Sequence, residues 1–262
     1  MFKWLRRGRA ARPGATDPAR LLANADTLRL VATRSADPQS LQLAIVAADL
    51  ATKECPDPAD QAVAWSMLCV LHREAATRGG GQGALQSRLD TAEQAGRRGL
   101  DLAPDGSQEW FRCASALATV LLERHLRLGD STALPEAVEL NRRIVAELDL
   151  DSPEYPGALG NLTNALKLLY GVTRDPALIE EAVVTAREAV ELVRPDSPHY
   201  ANVRVNLASA IAVQLSRTPS RALLDEARGH LRTALAALPP GHPHRATVEA
   251  FAAQLERGAN LL

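Results

Sequence analysis

Apolar residues recur at three- and four-residue intervals through most of the chain, which is the spacing that places side chains on one face of a helix. Between residues 152 and 193, two such stripes are separated by Asp175-Pro176. Proline removes a backbone donor and disfavours helix in the residue before it, so each stripe belongs to its own helix. No segment alternates apolar and polar residues as a strand does. The pattern therefore predicts an all-α chain in which pairs of helices, a first and a second, are joined by short connections.

This pattern returns every 45 residues. Four alanines mark it, each heading a similar run of small and aliphatic residues: Ala92, Ala137, Ala182 and Ala227. The segment Asp151-Ser152-Pro153 likewise recurs as Asp196-Ser197-Pro198. A period between about 20 and 50 residues is typical of stacked arrays, because one repeat cannot bury its apolar face without the next. We expect an N-terminal helix that begins near Asp17-Pro18, followed by repeats at roughly 37–80, 83–128, 131–171 overlapping into 175–216, and 219–258.

One predicted first helix has a familiar order of residues. Trp65 is followed three positions later by Leu68, then by the small Cys69 and the larger His72. This order resembles the first helix of a tetratricopeptide repeat (TPR). It returns in two later first helices, at Leu162, Thr163 and Leu166 and at Leu207, Ala208 and Ile211. The predicted second helices carry small residues seven positions apart, as in that family: Ala182 with Ala189, and Ala227 with Ala234.

The resemblance covers roughly residues 37–258. A TPR usually has about 34 residues, so the period of 45 is more similar to the long repeats of kinesin light chain and of bacterial arrays attached to CHAT proteases or signalling ATPases. The resemblance implies a right-handed superhelical solenoid of about five TPR-like helical hairpins plus the N-terminal helix. In that family the first helices line a concave groove that receives extended peptides or partner helices. It therefore also implies a role in protein binding.

Polar residues at groove positions of the predicted first helices are the candidate binding residues. They lie at three- or four-residue steps on one helix side, or at the equivalent place in an earlier repeat: Arg112, Asn161, Asn164, Lys167, Asn202 and Asn206. Their counterparts in peptide-binding TPR proteins face the groove, where amides and cations hold a peptide backbone or a terminal carboxylate. The alternative is that these asparagines bond to backbone groups of neighbouring turns.

Composition narrows the class of partner. The 262 residues carry a formal net charge of -1, and only 3% are aromatic. A nearly neutral chain with few stacking residues is not typical of proteins that bind nucleic acid. No apolar run approaches the ~20 residues needed to cross a bilayer, and none of signal-peptide type follows the basic start. We expect a cytoplasmic, bacterial protein that binds protein or peptide, with no nucleic acid and no stable membrane association.

The first 15 residues have a composition of their own. They carry five basic residues, two glycines and a proline without a sustained period, so we expect a flexible tail. Phe2, Trp4 and Leu5 leave a second interpretation open, in which this segment docks on a partner or touches a membrane. Termini are seldom ordered without docking, which favours the flexible tail.

Three other motifs are better explained by structure than by chemistry. The glycines of residues 78–83 lack the Gly-Lys-Ser/Thr ending of a nucleotide loop, which favours a flexible connection. His242 and His244 have no third ligand nearby in sequence, so a helix-start role is favoured over a metal site. Cys69 occupies a position that needs a small residue for packing. We assign no catalytic residue, no metal site and no cofactor.

The leading hypothesis is a helical-repeat scaffold or adaptor that binds a protein or peptide along its concave groove. Two alternatives stay open. In the first, the chain is an enzyme, or the partner of an enzyme, in a biosynthetic pathway and holds a peptide substrate in the same groove. In the second, it is a homo-oligomer whose end faces stack.

Overall fold

The structure, a computed structural model, describes residues 18–35, 37–79 and 81–259. Within these ranges the chain forms eleven α-helices and no strand. Their bounds are α1 Pro18–Ser35, α2 Pro38–Glu54, α3 Pro58–Thr77, α4 Gln82–Leu102, α5 Gln108–Leu128, α6 Leu134–Glu147, α7 Tyr155–Thr173, α8 Pro176–Leu192, α9 Tyr200–Leu215, α10 Arg221–Ala237 and α11 Arg245–Ala259. The all-α class is confirmed for this part of the chain. The expected tail, residues 1–15, and Asp17 lie outside the described residues.

The helices fall into two compact units, residues 1–130 with α1 to α5 and residues 131–262 with α6 to α11. Within each unit every helix packs against its neighbours in sequence, and α3 also meets α5, as α7 meets α9. We call the odd-numbered helices first helices and the even-numbered helices second helices. Because an inner helix contacts both of its neighbours, these contacts do not single out the repeat boundaries expected from sequence, which stay a prediction.

Where the structure describes both residues, aspartate followed by proline begins three helices. Asp37, Asp57 and Asp175 have extended backbones, and their carboxylates accept hydrogen bonds from amides in the first turns of α2, α3 and α8. These amides have no partner within the helix, so the carboxylate supplies one. The proline that follows loses nothing by lacking an N–H in the first turn.

A different turn precedes α7, α9 and α11 and keeps the 45-residue period. In each, a backbone N–H donates to the carbonyl three residues earlier: Ser152 to Asp149, Ser197 to Arg194 and His242 to Pro239. Helix α7 begins at Tyr155 without a side-chain cap, and the Ser152 Oγ accepts from the backbone N of Glu154 within the turn, at 3.3 Å.

The periodic alanines lie at helix contacts, as the sequence pattern predicts. They belong to four successive second helices, and none has exposed surface: Ala92, Ala137, Ala182 and Ala227. A methyl group in place of a longer side chain lets each second helix approach its neighbours closely while the contact stays densely packed.

The second helices of the second unit are joined by an ion pair that repeats. Arg142 donates through Nε and Nη2 to both carboxylate oxygens of Glu181, at 2.9 and 2.6 Å. Arg187 does the same to Glu226, at 2.9 Å for both bonds. Paired bonds of this kind fix direction as well as distance. Because the side chains are partly exposed, they contribute register between α6, α8 and α10 more than stability.

Candidate peptide-binding surface

A polar pocket lies between the first helices α7 and α9. Its volume is about 210 Å³, and it is lined by Gly157, Gly160, Asn161, His199, Asn202, Val203, Val205 and Asn206. The structure therefore brings together three of the six candidate binding residues. The pocket is smaller than those that enclose drug-sized molecules, so it suits one or two groups of a longer ligand that lies across the surface.

Two glycines of α7 shape the wall of this pocket. A β-carbon at Gly157 would lie 3.0 Å from Cε1 and Nε2 of His199, and one at Gly160 would lie 3.2 Å from Nδ2 of Asn206. Both distances are shorter than ordinary van der Waals contact. The missing side chains let His199, which directly precedes α9, and Asn206 of α9 lie directly against the backbone of α7.

The three asparagines of the pocket differ in their contacts. Asn206 is half-buried, and its Nδ2 donates to the carbonyl oxygen of Gly160 at 3.1 Å, which joins α9 to α7. Asn161 and Asn202 are exposed, and their side chains have no hydrogen-bond partner among the described residues. Asn206 thus serves the fold as well as the pocket. The amides of Asn161 and Asn202 have donors and acceptors free for a ligand.

His199 adds an imidazole to the wall of the pocket. Its backbone N donates to the Oγ of Ser197 at 3.2 Å, within the turn before α9. Its Nε2 lies 3.7 Å from Oε2 of Glu154, too far for a hydrogen bond, so the pair attracts only when the imidazole is protonated. The ring is partly exposed and can move when a ligand enters.

The other three candidates lie outside this pocket. Asn164 and Lys167 are half-buried further along α7, and Arg112 is exposed on α5 in the first unit. Burial lowers the pKa of Lys167 to about 8, because the ammonium group loses hydration there. No described residue pairs with Lys167. Its ammonium group therefore has no compensating charge among the described residues.

Sequence analysis missed a set of four aromatic residues with the 45-residue period. It occupies the first turns of three first helices and the middle of a fourth: Trp65, Trp110, Tyr155 and Tyr200. The hydroxyl of Tyr155 donates to Oε1 of Glu188 at 3.2 Å, and the guanidinium of Arg204 lies 3.7 Å from the ring centroid of Tyr200. The latter distance is typical of a cation stacked on a ring. The regular spacing of these four residues in the sequence is the signal that would have revealed them.

The remaining motifs have structural contacts. Arg88 ties the glycine-rich connection to α3, since its Nη1 donates to the carbonyls of Ala75 and Gly79 at 2.6 and 2.7 Å. The Nδ1 of His242 accepts from the backbone N of His244 at 3.2 Å in the turn before α11. Among the described residues, no group of three or more His, Cys, Asp or Glu side chains could hold a metal ion. No described helix is long and apolar enough to cross a membrane.

Comparison with solved structures decides the type of repeat. The chain is similar to the kinesin light chain nearly identical TPR-like repeats of Podosopora anserina, with a TM-score of 0.56 and 16% identity over 82% of this chain and 96% of that one. A single-substitution variant of that protein gives a TM-score of 0.57 and 15% identity over 81% and 95%. The chain folds as a TPR-type helical-repeat protein. No protein-family model and no curated protein matches its sequence.

The TPR-type fold confirms what the order of residues from Trp65 to His72 implies about structure. Identity of 15–16% concerns the fold alone and carries no ligand from one protein to the other. What this TPR-type chain binds must be argued from its own residues. Its polar pocket lies between two first helices, the helices that the resemblance associates with ligand binding.

Proposed function

We propose that this TPR-type chain is a protein-binding scaffold and that an extended segment of its partner binds across α7 and α9. The observation that carries the proposal is the pair of exposed amides, Asn161 and Asn202, beside a pocket of about 210 Å³. Each amide offers one acceptor and two donors, which match the N–H and C=O of a peptide unit. Contacts of this kind hold a backbone in place and leave the choice of sequence to neighbouring side chains.

Lys167 adds a preference for negative charge. It follows Asn164 by three residues on α7, so the two side chains lie on neighbouring parts of the helix surface. A carboxylate next to Lys167 would compensate the lost hydration of its ammonium group and raise its lowered pKa. The partner segment therefore carries an acidic side chain or its terminal carboxylate at this point. Binding is then coupled to proton uptake and weakens as the pH rises above about 8.

The test compares the affinity of a variant altered at the pocket with that of a control variant altered at an exposed asparagine on another helix. The partner is captured from the native cell, identified by mass spectrometry, and its binding segment is synthesised for titration against the purified full chain. Asn161→Ala with Asn202→Ala should weaken binding about tenfold or more, because each lost hydrogen bond contributes about 0.5–1.5 kcal/mol. Asn24→Ala removes an exposed amide of α1 and should leave the affinity unchanged.

Two results would overturn the proposal. Equal affinities of the double variant and the unmodified chain, with unchanged circular dichroism, would place the ligand elsewhere. Turnover of a peptide by the purified chain, lost in the double variant, would replace the scaffold by the enzyme that the sequence left as an alternative.

A further inference from the structure

Helix α2 carries an apolar stripe that faces away from the core. Leu43, Val46 and Leu50 are 53%, 56% and 44% exposed, and their spacing of three and four residues places them on one side of the helix. The opposite side of α2 is buried through Leu41, Ala44, Ala48 and Ala51. Isolated exposed apolar side chains are ordinary, whereas a continuous stripe is typical of a surface that something covers.

We propose that residues 2–5 of this same chain, Phe2-Lys3-Trp4-Leu5, cover the stripe. Helices α1 and α2 form an antiparallel hairpin, so the start of α1 at Pro18 lies beside the end of α2 at Glu54. A segment that precedes Pro18 therefore meets the stripe from its Leu50 end. Leu5 then lies nearest Leu50, and Trp4 and Phe2 lie further along, toward Leu43.

The length of chain between the segment and α1 allows this arrangement. Residues 6–17 reach about 40 Å when extended, at about 3.3 Å per residue. Helix α2 has 17 residues and is about 25 Å long at about 1.5 Å per residue. Residues 2–5 can thus lie anywhere along α2. Because residues 6–17 tether them to α1, residues 2–5 are present near α2 at roughly millimolar effective concentration, which favours them over a second copy of the chain in dilute solution.

The charges also favour the arrangement in which Leu5 lies nearest Leu50. Arg6 and Arg7 follow Leu5 immediately and would lie near the C-terminal end of α2, where the carbonyl groups carry partial negative charge. Glu54 is exposed at that end and has no partner among the described residues. The carboxylate of Asp49, in contrast, already pairs with Lys53 at 2.5 Å.

Trp4 provides the measurement. The fluorescence emission of Trp4 is obtained by subtracting the spectrum of Trp4→Phe, which keeps Trp65 and Trp110, from that of the full chain. The quenching of this emission by acrylamide is then recorded. In the unmodified chain we expect Trp4 to emit at shorter wavelength and to be quenched several-fold less than in a free peptide of residues 1–17. Leu43→Glu with Val46→Glu should return both values to those of the peptide. Val184→Glu changes a valine of α8 that is 65% exposed and should have no effect.

Each other outcome overturns the proposal. Trp4 quenched as in the free peptide at every protein concentration would mean that the stripe is not its site. Protection that appears only with rising concentration and a doubled sedimentation mass would assign the stripe to a second copy. Protection that appears only with anionic phospholipid vesicles would assign the segment to a membrane surface. Circular dichroism of the double variant checks the fold, which these exposed positions should leave intact.

Discussion

Each unit has a pair of glycines that lie three residues apart on one helix, and the two pairs make different contacts. On α4, a β-carbon at Gly96 would lie 3.1 Å from Sγ of Cys69, and one at Gly99 would lie 2.8 Å from Sγ of Cys113. On α7, the side chains nearest to Gly157 and Gly160 are instead polar ones of the pocket, His199 and Asn206. The absence of a side chain thus permits a buried helix contact in the first unit and a contact with polar pocket residues in the second.

The neighbours decide the outcome of each close approach. Thiols and the Cβ of Trp65 meet α4, and both α4 glycines are buried. A partly exposed imidazole and an amide meet α7. A glycine pair on a helix can therefore mark either a buried packing contact or the wall of a polar pocket, and the glycines alone do not distinguish the two.

The largest expected effect is an opposite response of the two units to alkaline pH. Burial raises the pKa of the Cys69 and Cys113 thiols to about 12 and lowers the pKa of Lys167 to about 8. The thiols stabilise the first unit fully below pH 9 and lose that contribution as the pH rises toward 12. Lys167 costs the second unit stability below pH 8, and the cost disappears as the pH rises to about 10.5.

At pH 10 each change amounts to about 1–3 kcal/mol in the free energy of unfolding, at about 1.4 kcal/mol per pKa unit. Hydrogen exchange by mass spectrometry, corrected for intrinsic rates, should show α3 to α5 losing protection and α7 to α9 gaining it between pH 7.5 and pH 10. Lys167→Met should remove the gain. Parallel changes in both units would break the comparison.

The next largest effect is expected for Gly99→Ala. The new methyl group would meet Sγ of Cys113, Cβ of Trp65 and the carbonyl oxygen of Ala62, of which the last is backbone and cannot turn away. Overpacking costs about 1–3 kcal/mol and the better helix propensity of alanine returns about 1. We therefore expect a net loss of up to about 2 kcal/mol in the free energy of unfolding measured with urea.

Gly229→Ala is the matched control for this variant. Nothing lies within 4 Å of a β-carbon at this position of α10, so alanine should stabilise the chain by about 0.5–1 kcal/mol. A Gly99→Ala variant as stable as Gly229→Ala would show that the α4 contact is not tight.

The smallest change in stability is expected for Gly157→Ala. Here the three atoms nearest to the new methyl group all belong to the ring of His199, which can move because it is partly exposed, so the free energy of unfolding should change by less than about 0.5 kcal/mol. The pocket should nevertheless become narrower, and the partner peptide should bind several-fold more weakly in the titration described above. A large loss of stability without loss of binding would mean that the α7 contact is also a packing contact.

Much of the fold could be predicted because it depends on residues that repeat. Ala92 and its three counterparts are buried for the same reason each time, and a 45-residue register needs no knowledge of three-dimensional contacts. The Asp-Pro helix starts are equally local, since the carboxylate and the amides that it meets lie within three residues.

The site could be predicted only in part. Asn161 and Asn202 follow from helix spacing, but the pocket also needs Gly157, which lies against His199 only because α7 packs on α9. The bond from Asn206 to Gly160 likewise joins residues 46 positions apart. Contacts of that kind depend on how closely two helices approach, and no single helix pattern contains this distance.

The ion pairs of Arg142 with Glu181 and of Arg187 with Glu226 have a consequence for evolution. Helix α8 contributes a glutamate to the preceding second helix and an arginine to the following one. A duplicated block of 45 residues would bring one of each, so an inserted copy finds a complementary charge on both sides. Recombination that inserts whole blocks would thus keep these charges paired along the unit.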